Sequence, residues 1–454
     1  MLPEIKPKRV LFVAPPYFGH FNQMLILARE LVALGHVVGF AGAEIFQERI
    51  LKAGVRFLRW EPEEAMSNPG LVSRRARLWQ EASQDSSVLR GEREMLAVVT
   101  DSYPAMYQSL EPLWGQFRPE LLVVDSAVVM AMDLARRYAV PYVIQLQFLG
   151  NHVPIPVRYP RYGTDFLLRM KPMQRLRNWI HPWLTLACLG PEILRLNKVR
   201  ARFGAHTPLL KLYTQTLVLV CSSFGIELPR QLPPLMRMVG PLLPDKPEPL
   251  EASLRAWLVK GSLPTVYVCF GTLATLESWQ VQTLVAGFTD ARWRVLWSLR
   301  PSQQQLLPSL PESFLVLPSV PQQSVLAHPS VKAFVSHCGM NSVSESLHAG
   351  KPVLALPFFG DQHYNAARVV DLGAGLRLNK ARFSSEEVRS KVAAVLGEAS
   401  YTTHAQRLAG VLRQNGGIAE AVTILQHTLD RGFGHLVPEQ LYHPDQPSRS
   451  EPGE

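Results

Sequence analysis

The chain has 454 residues, 47% of them hydrophobic and 19% charged, which excludes a disordered polymer and leaves apolar matter for about two domains of roughly 200 residues. Lys and Arg exceed Asp and Glu to give a formal charge of +10, so the partners of a basic surface have to be considered. The four cysteines, Cys188, Cys221, Cys269 and Cys338, contain no C-x-x-C pair, which excludes a disulfide framework and the usual zinc spacings and fits a reducing, cytoplasmic setting.

Taken in chain order, Lys6, Lys8 and Arg9 precede an apolar run at 10–14. Pro15 and Pro16 cut it at five residues, short of the roughly 7–15 of an export signal. No run approaches the roughly 18 apolar residues of a spanning helix. The run at 10–14 predicts a first strand, and the apolar spacing from Met24 to Leu34 predicts the helix after it. Gly19 and His20 lie between the two. A histidine there stands at the carboxyl edge of a sheet, and its ordinary pKa suits it to take a proton from a hydroxyl near neutral pH. The structural alternative is that Gly19 makes the turn and His20 caps the helix. Runs at 37–40 and 121–124 predict further strands, and the second ends in Asp125. That carboxylate either orients the His20 ring and supports its positive charge, or caps the helix predicted from Val128 to Arg137. Runs at 142–145 and 217–220 predict two more strands.

Most of the charge excess lies in one segment. Between Arg158 and Arg202 stand ten basic residues and only Asp165 and Glu192 as acids, a net +8. The segment also carries Trp179, Trp183 and an apolar run to Leu189. One reading is a surface that meets an anionic membrane. The other is a solvated basic helix whose tryptophans pack on the core, with Pro172 and Pro182 interrupting any long amphipathic helix.

Seven prolines between residues 228 and 250 exclude a regular helix or central strand there and predict a seam between halves. The second half repeats the alternation, with strand-like runs at 266–270, 295–297, 314–317, 333–335 and 353–356. Near-continuous apolar strands separated by helices imply parallel sheets covered on both faces, and two such domains in tandem place ligands in a cleft between them. The boundaries expected are 1–240, a linker at 241–250, 251–430, and a loosely ordered tail at 431–454.

The densest chemistry follows the strand at 333–335. Ser336, His337, Cys338, Gly339, Met340, Asn341 and Ser342 form a loop into a helix beginning near Ser342. Exposed amides and the positive end of a helix suit a diphosphate. Ser342 with Glu345 also reads as a capping box, a purely structural role. Asp361 and Gln362, after the next strand, offer partners for sugar hydroxyls, and Gly271 with Thr272 makes a second glycine turn that would bring amides to a phosphate. The chain has no G-x-x-x-x-G-K-[ST], which argues against a P-loop nucleotidase, and Gly373-Ala374-Gly375 precedes a strand and lacks the third glycine, so the match to a nicotinamide fingerprint is weak. It also has no Asp-x-Asp metal clamp, so no metal is expected.

The chain resembles the nucleotide-sugar glycosyltransferases of family 1, from Val10 to about Leu378. The run from Ser336 to Ser342, followed by Glu345, Gly350, Pro352, Pro357 and Asp361-Gln362, looks like that family's donor signature. Val320-Pro321-Gln322 and Val239-Gly240-Pro241 fit its neighbouring patterns, and Gly19-His20 and Asp125 fall where the family places a catalytic base and its supporting acid. The resemblance implies the GT-B fold, two Rossmann-like doubly wound domains facing across a cleft. It implies His337, Asn341 and Ser342 on the diphosphate, Glu345 on the ribose, and Asp361 and Gln362 on the sugar, with Gly19, Gly271, Thr272, Val320, Gln322 and Gly339 completing the donor site. The activity it implies is inverting transfer of a glucose-like hexose from a UDP-sugar, a co-substrate and not a cofactor, to a hydroxyl of a lipophilic small molecule. His20 would be the base. Ser319 stands where many members have a tryptophan under the nucleobase, Met340 replaces the tryptophan of plant members, and Gln23 a frequent proline. An epimerase on the same fold and a polyanion-binding protein are the competing readings; nucleic acid is not expected as a partner.

Overall fold

The computed structural model describes residues 6–62 and 87–432, together with residues 70, 73–74, 77–78 and 81. Most of the tail expected to be loosely ordered, 433–454, lies outside the described residues. Strands β1 (Arg9–Val13), β2 (Val37–Gly42), β3 (Arg56–Arg59), β4 (Leu121–Asp125), β5 (Tyr142–Leu146), β6 (Leu217–Val220) and β7 (Met236–Met238) form one sheet in the order β3-β2-β1-β4-β5-β6-β7. Strands β8 (Thr265–Cys269), β9 (Arg294–Ser298), β10 (Phe314–Leu317), β11 (Val331–Ser336), β12 (Val353–Ala355) and β13 (Gly375–Arg377) form the other, ordered β10-β9-β8-β11-β12-β13. Each pairing is parallel.

A strand apolar on both sides must be covered on both sides, and the alternation along β1 shows how. Val10 and Phe12 pack with Phe21, Met24 and Leu27 of the Phe18–Ala33 helix. Leu11 and Val13 face Tyr103, Leu110 and Leu113 of the Val88–Phe117 helix on the opposite side. Each such side chain contributes about 1.5–3 kcal/mol when fully buried, so the two layers fix the register of β1 and, with it, where the chain leaves its end.

The proline-rich seam holds no central strand: β7 within it is an edge strand whose three residues are proline-free, and an edge tolerates prolines nearby. Two expectations need correction. Pro172 and Pro182 do not interrupt a helix, because Pro172–Ala201 is continuous through Pro182 and Pro191. Pro172 sits in the first turn, where an amide N–H is not needed. Packing against Val88–Phe117, and Asn178 donating to the carbonyls of Val157 and Tyr159, hold the rest despite roughly 3 kcal/mol of local cost per interior proline. Finally, the Gly417–Arg431 helix, placed by sequence with the second lobe, returns to the first: Ala421 and Leu425 are buried in the core beside Phe21 and Met24.

Candidate active site

In each sheet the strand order reverses between two central neighbours, β1/β4 in one and β8/β11 in the other. A crevice opens at such a point beyond the strand ends, and both crevices face one cleft of about 2090 Å³. Val13 pairs with Val124, so Asp125 stands just past the end of β1. The chain leaving β1 turns into the Phe18–Ala33 helix, with Tyr17 as N-cap and His20 in the first turn. His20 Nδ1 lies 2.8 Å from Asp125 Oδ2. Asp125 is fully buried behind the ring, and its Oδ1 accepts from the Ala127 amide at 2.9 Å. With the carboxylate ionised, the shared proton sits on Nδ1 and Nε2 keeps its lone pair. Burial works against a charge on His20, yet the Asp125 carboxylate and hydrogen bond, with Asp361 further off, hold its pKa above the ordinary 6.5. Neither capping alternative describes the structure: Gly19 and His20 lie inside the helix, and Asp125 precedes a helix, Val129–Arg137, whose N-cap is Val128.

The second wall repeats the strand-to-helix turn with different neighbours. Ser336 pairs with Cys269, which sets His337 beside Gly271. A Cβ on Gly271 would meet the His337 ring at 2.9 Å, and one on Gly339 would meet Nε2 at 2.7 Å, so the imidazole lies where only glycine leaves room. Cys338 takes a left-handed conformation at φ 63° to turn the chain. The helix then begins at Met340, not near Ser342. Ser342 is therefore in the first turn and no capping box forms; the Glu345 carboxylate instead accepts from the side chains of Gln322 and Gln323. Burial pushes the Glu345 pKa up and these bonds pull it back. Burial pushes His337 down to about 4, with a hydrogen bond to the Cys269 backbone opposing, which leaves it neutral.

Asp361 Oδ2 accepts from the Met340 amide at 3.1 Å and from Asn365 Nδ2 at 2.6 Å. Burial pushes its pKa up to about 6, with those bonds and His20 opposing. Gln362 spends its carbonyl on the amides of Phe358 and Phe359, leaving its side-chain N–H groups for other partners. Gly19, His20, Gly271, Thr272, Val320, Gln322, His337, Gly339, Asn341, Ser342, Glu345, Asp361 and Gln362 thus border the one cleft, and Asp125 lies behind it. Asn341 is engaged across the cleft: Nδ2 donates to the Gly19 carbonyl and Oδ1 accepts from Gln23 Nε2, both at 2.8 Å.

Some groups at the site carry no sequence signal. Arg300 donates to the carbonyls of Thr272 and Ala274 at 2.9 and 2.8 Å and so shapes the glycine turn. Glu92, on the Val88–Phe117 helix, faces the cleft among Met95, Val99, Phe148 and Leu189. It is hydrogen-bonded to Tyr162, and burial pushes its pKa up to about 7. A charged residue on an amphipathic helix reads as solvent-facing until the partner wall is known.

The profile of the UDP-glucoronosyl and UDP-glucosyl transferase family matches residues 118–415. The chain is similar to UDP-glycosyltransferase 1 of Phaeomoniella chlamydospora, 28% identical over 71% of this chain and 71% of that protein. It is also similar to 4'-demethylrebeccamycin synthase of Lentzea aerocolonigenes, 27% identical over 92% and 99%. Among solved structures, the calicheamicin glycosyltransferase CalG4 superposes with a TM-score of 0.68 at 20% identity, covering 94% of this chain and 99% of that one; the likeness shows the two facing sheets to be the GT-B fold. No described helix is long and apolar enough to cross a membrane. With the profile spanning well over half its length, the chain belongs to the UDP-glucoronosyl and UDP-glucosyl transferase family and is a glycosyltransferase that uses a nucleotide sugar.

Proposed function

We propose that the protein transfers a hexose from a UDP-sugar, with inversion, to a hydroxyl of a lipophilic small molecule. His20 Nε2 accepts the hydroxyl proton as the acceptor oxygen attacks the anomeric carbon. The bond from that carbon to the diphosphate breaks on the opposite face, so one C–O bond forms as another is lost and the configuration inverts. Asp125 keeps the ring oriented and stabilises the imidazolium. The first-turn amides of Asn341 and Ser342 and neutral His337 meet the charge developing on the diphosphate. Glu345 takes the ribose hydroxyls and Asp361 and Gln362 the sugar, and the step calls for no metal ion or cofactor. Holding both reactants between two lobes contributes orientation, worth roughly 7–11 kcal/mol in favourable intramolecular cases.

The observation that carries this reading is the His20–Asp125 pair at 2.8 Å on the wall opposite the His337 loop. The acceptor class is drawn from the apolar part of the cleft, where Glu92 is the polar anchor for a hydroxyl. An epimerase would have no use for that chamber. Four free cysteines suit a reducing, cytoplasmic setting. The test is transfer from a panel of nucleotide sugars to mixed hydroxylated lipids and polyketides, read by mass spectrometry, with the anomeric configuration of the product read by NMR. Retained configuration, or sugar isomerisation without acceptor, would overturn the reading.

A further inference from the structure

A helix that packs through one face leaves the other to its surroundings, and the composition of that face reports what it meets. Pro172–Ala201 turns Asn178, Leu196 and Arg200 inward. At about 100° per residue, Leu176, Trp179, Trp183, Leu186 and Leu194 form one outward stripe, with Met173 and Leu184 along its edge. Trp179 is 58% exposed, Trp183 66%, Leu186 61% and Leu194 64%. The reading in which the tryptophans pack on the core is therefore wrong: both rings are exposed, and the residues this helix buries lie on a different face. Exposed apolar residues scattered singly need no explanation, but a contiguous stripe with two tryptophans marks an interaction surface.

Charge identifies the partner. Arg175 and Arg177 border the stripe on its two sides, and Arg158, Arg169 and Lys171 are exposed toward the same end. None of these five is in an ion pair among the described residues, whereas Arg195, farther along, is held by Asp101 and Glu192. Tryptophan rings flanked by unpaired arginines match the boundary between lipid headgroups and acyl chains, where indoles sit and long basic side chains reach phosphates. On its other side the same helix lends Leu189 and Leu196 to the cleft.

We propose that this face docks the protein on an anionic lipid bilayer, from which the acceptor passes to the cleft. The passage of acceptor rests on the lipophilic-acceptor reading above; the docking does not.

The test is flotation of the full chain with vesicles of equimolar phosphatidylglycerol and phosphatidylcholine, and with pure phosphatidylcholine, in the absence of donor and acceptor. The expected result is binding to the anionic vesicles alone, weakened by salt and accompanied by a blue shift in tryptophan emission. Arg175→Gln with Arg177→Gln should lower partitioning about 30-fold, from about 1 kcal/mol per basic residue at an anionic surface. Trp179→Ser with Trp183→Ser should abolish it with an unchanged melting temperature, because neither ring packs inward. No binding at low salt, equal binding to neutral vesicles, or a dimer that Trp183→Ser dissolves would each overturn the proposal. If vesicles bind but only water-soluble acceptors are glycosylated, docking stands and the acceptor reading falls.

Discussion

Each wall of the cleft carries a histidine on the connection that leaves a central strand, His20 after β1 and His337 after β11, and these two are set to opposite protonation behaviour. His20 has a buried carboxylate against Nδ1 and a raised pKa. His337 is lodged between two glycines with no carboxylate, and burial takes it down to about 4. The same kind of sheet edge thus gives a ring, in the first turn of a helix, that can gain a proton at one wall and a ring, in the loop before a helix, that stays neutral at the other. The neighbour, not the turn, decides the chemistry.

The largest effect should come from breaking this asymmetry at its acidic end. His20→Ala should cut transfer by about 10²–10⁴, the usual contribution of a general base, while calorimetry shows unaltered UDP binding. His337→Ala should do the reverse, weakening UDP binding with less effect at saturating donor. Two variants that both lose only affinity would erase the distinction between the walls.

Next in size is Asp125→Asn, expected to slow transfer by less than loss of the ring itself, because the imidazole remains while the carboxylate that orients it and supports its charge is gone. It also carries a signed pH prediction. A base works only when unprotonated, so transfer should rise with pH through the His20 pKa, which lies above 6.5. Without the carboxylate, only the more distant Asp361 opposes burial, and the midpoint of the pH–rate curve should move down. A midpoint that stays put would mean that another group titrates.

How far the sequence carried this comparison differs between the walls. The strands were legible because runs such as Val10–Val13 are apolar on both faces, and the glycine loop after β11 because its residues are contiguous. The pairing of His20 with Asp125, one of two readings of that carboxylate in the sequence, crosses 105 positions and needed the order of β1 and β4 to be decided. The final helix was assigned to the wrong lobe because its apolar face at Ala421 and Leu425 says that it packs, not on what. Glu92 was invisible for the same reason, and the outward tryptophans of Pro172–Ala201 could be oriented only once its inner face was known.

A moderate effect should follow from adding one methyl to the second wall. Gly339→Ala places a Cβ 2.7 Å from His337 Nε2, so the ring must move; Gly19→Ala on the first wall meets only Asn341 Nδ2, at 3.2 Å. Gly339→Ala should cost about 1–3 kcal/mol of stability, the range for overpacking, and raise the donor KM about tenfold. Gly19→Ala should stay near wild type by both measures. Equal effects would show that the room around His337 is not what tunes it.

The smallest effect should come from the amides that join the walls. Gln145 Nε2 donates to Gln23 Oε1 at 2.6 Å and to Cys221 Sγ at 3.2 Å, and Gln23 Nε2 donates on to Asn341 Oδ1 at 2.8 Å. This chain of bonds runs from β5 through the His20 helix to the first turn of the Met340–His348 helix, and it exists because the Gln23 amide both accepts and donates. Gln23→Leu keeps the bulk and removes both bonds. Asn341 still reaches the Gly19 carbonyl, and Gln145 still reaches Cys221, so neither is orphaned outright. Two neutral hydrogen bonds at about 1 kcal/mol each put the stability loss near 2 kcal/mol, read as a lower denaturant midpoint. Transfer should fall less than about fivefold, since His20 keeps Asp125. A loss as large as that of Asp125→Asn would make the amide chain, and not the carboxylate, the main constraint on the His20 ring.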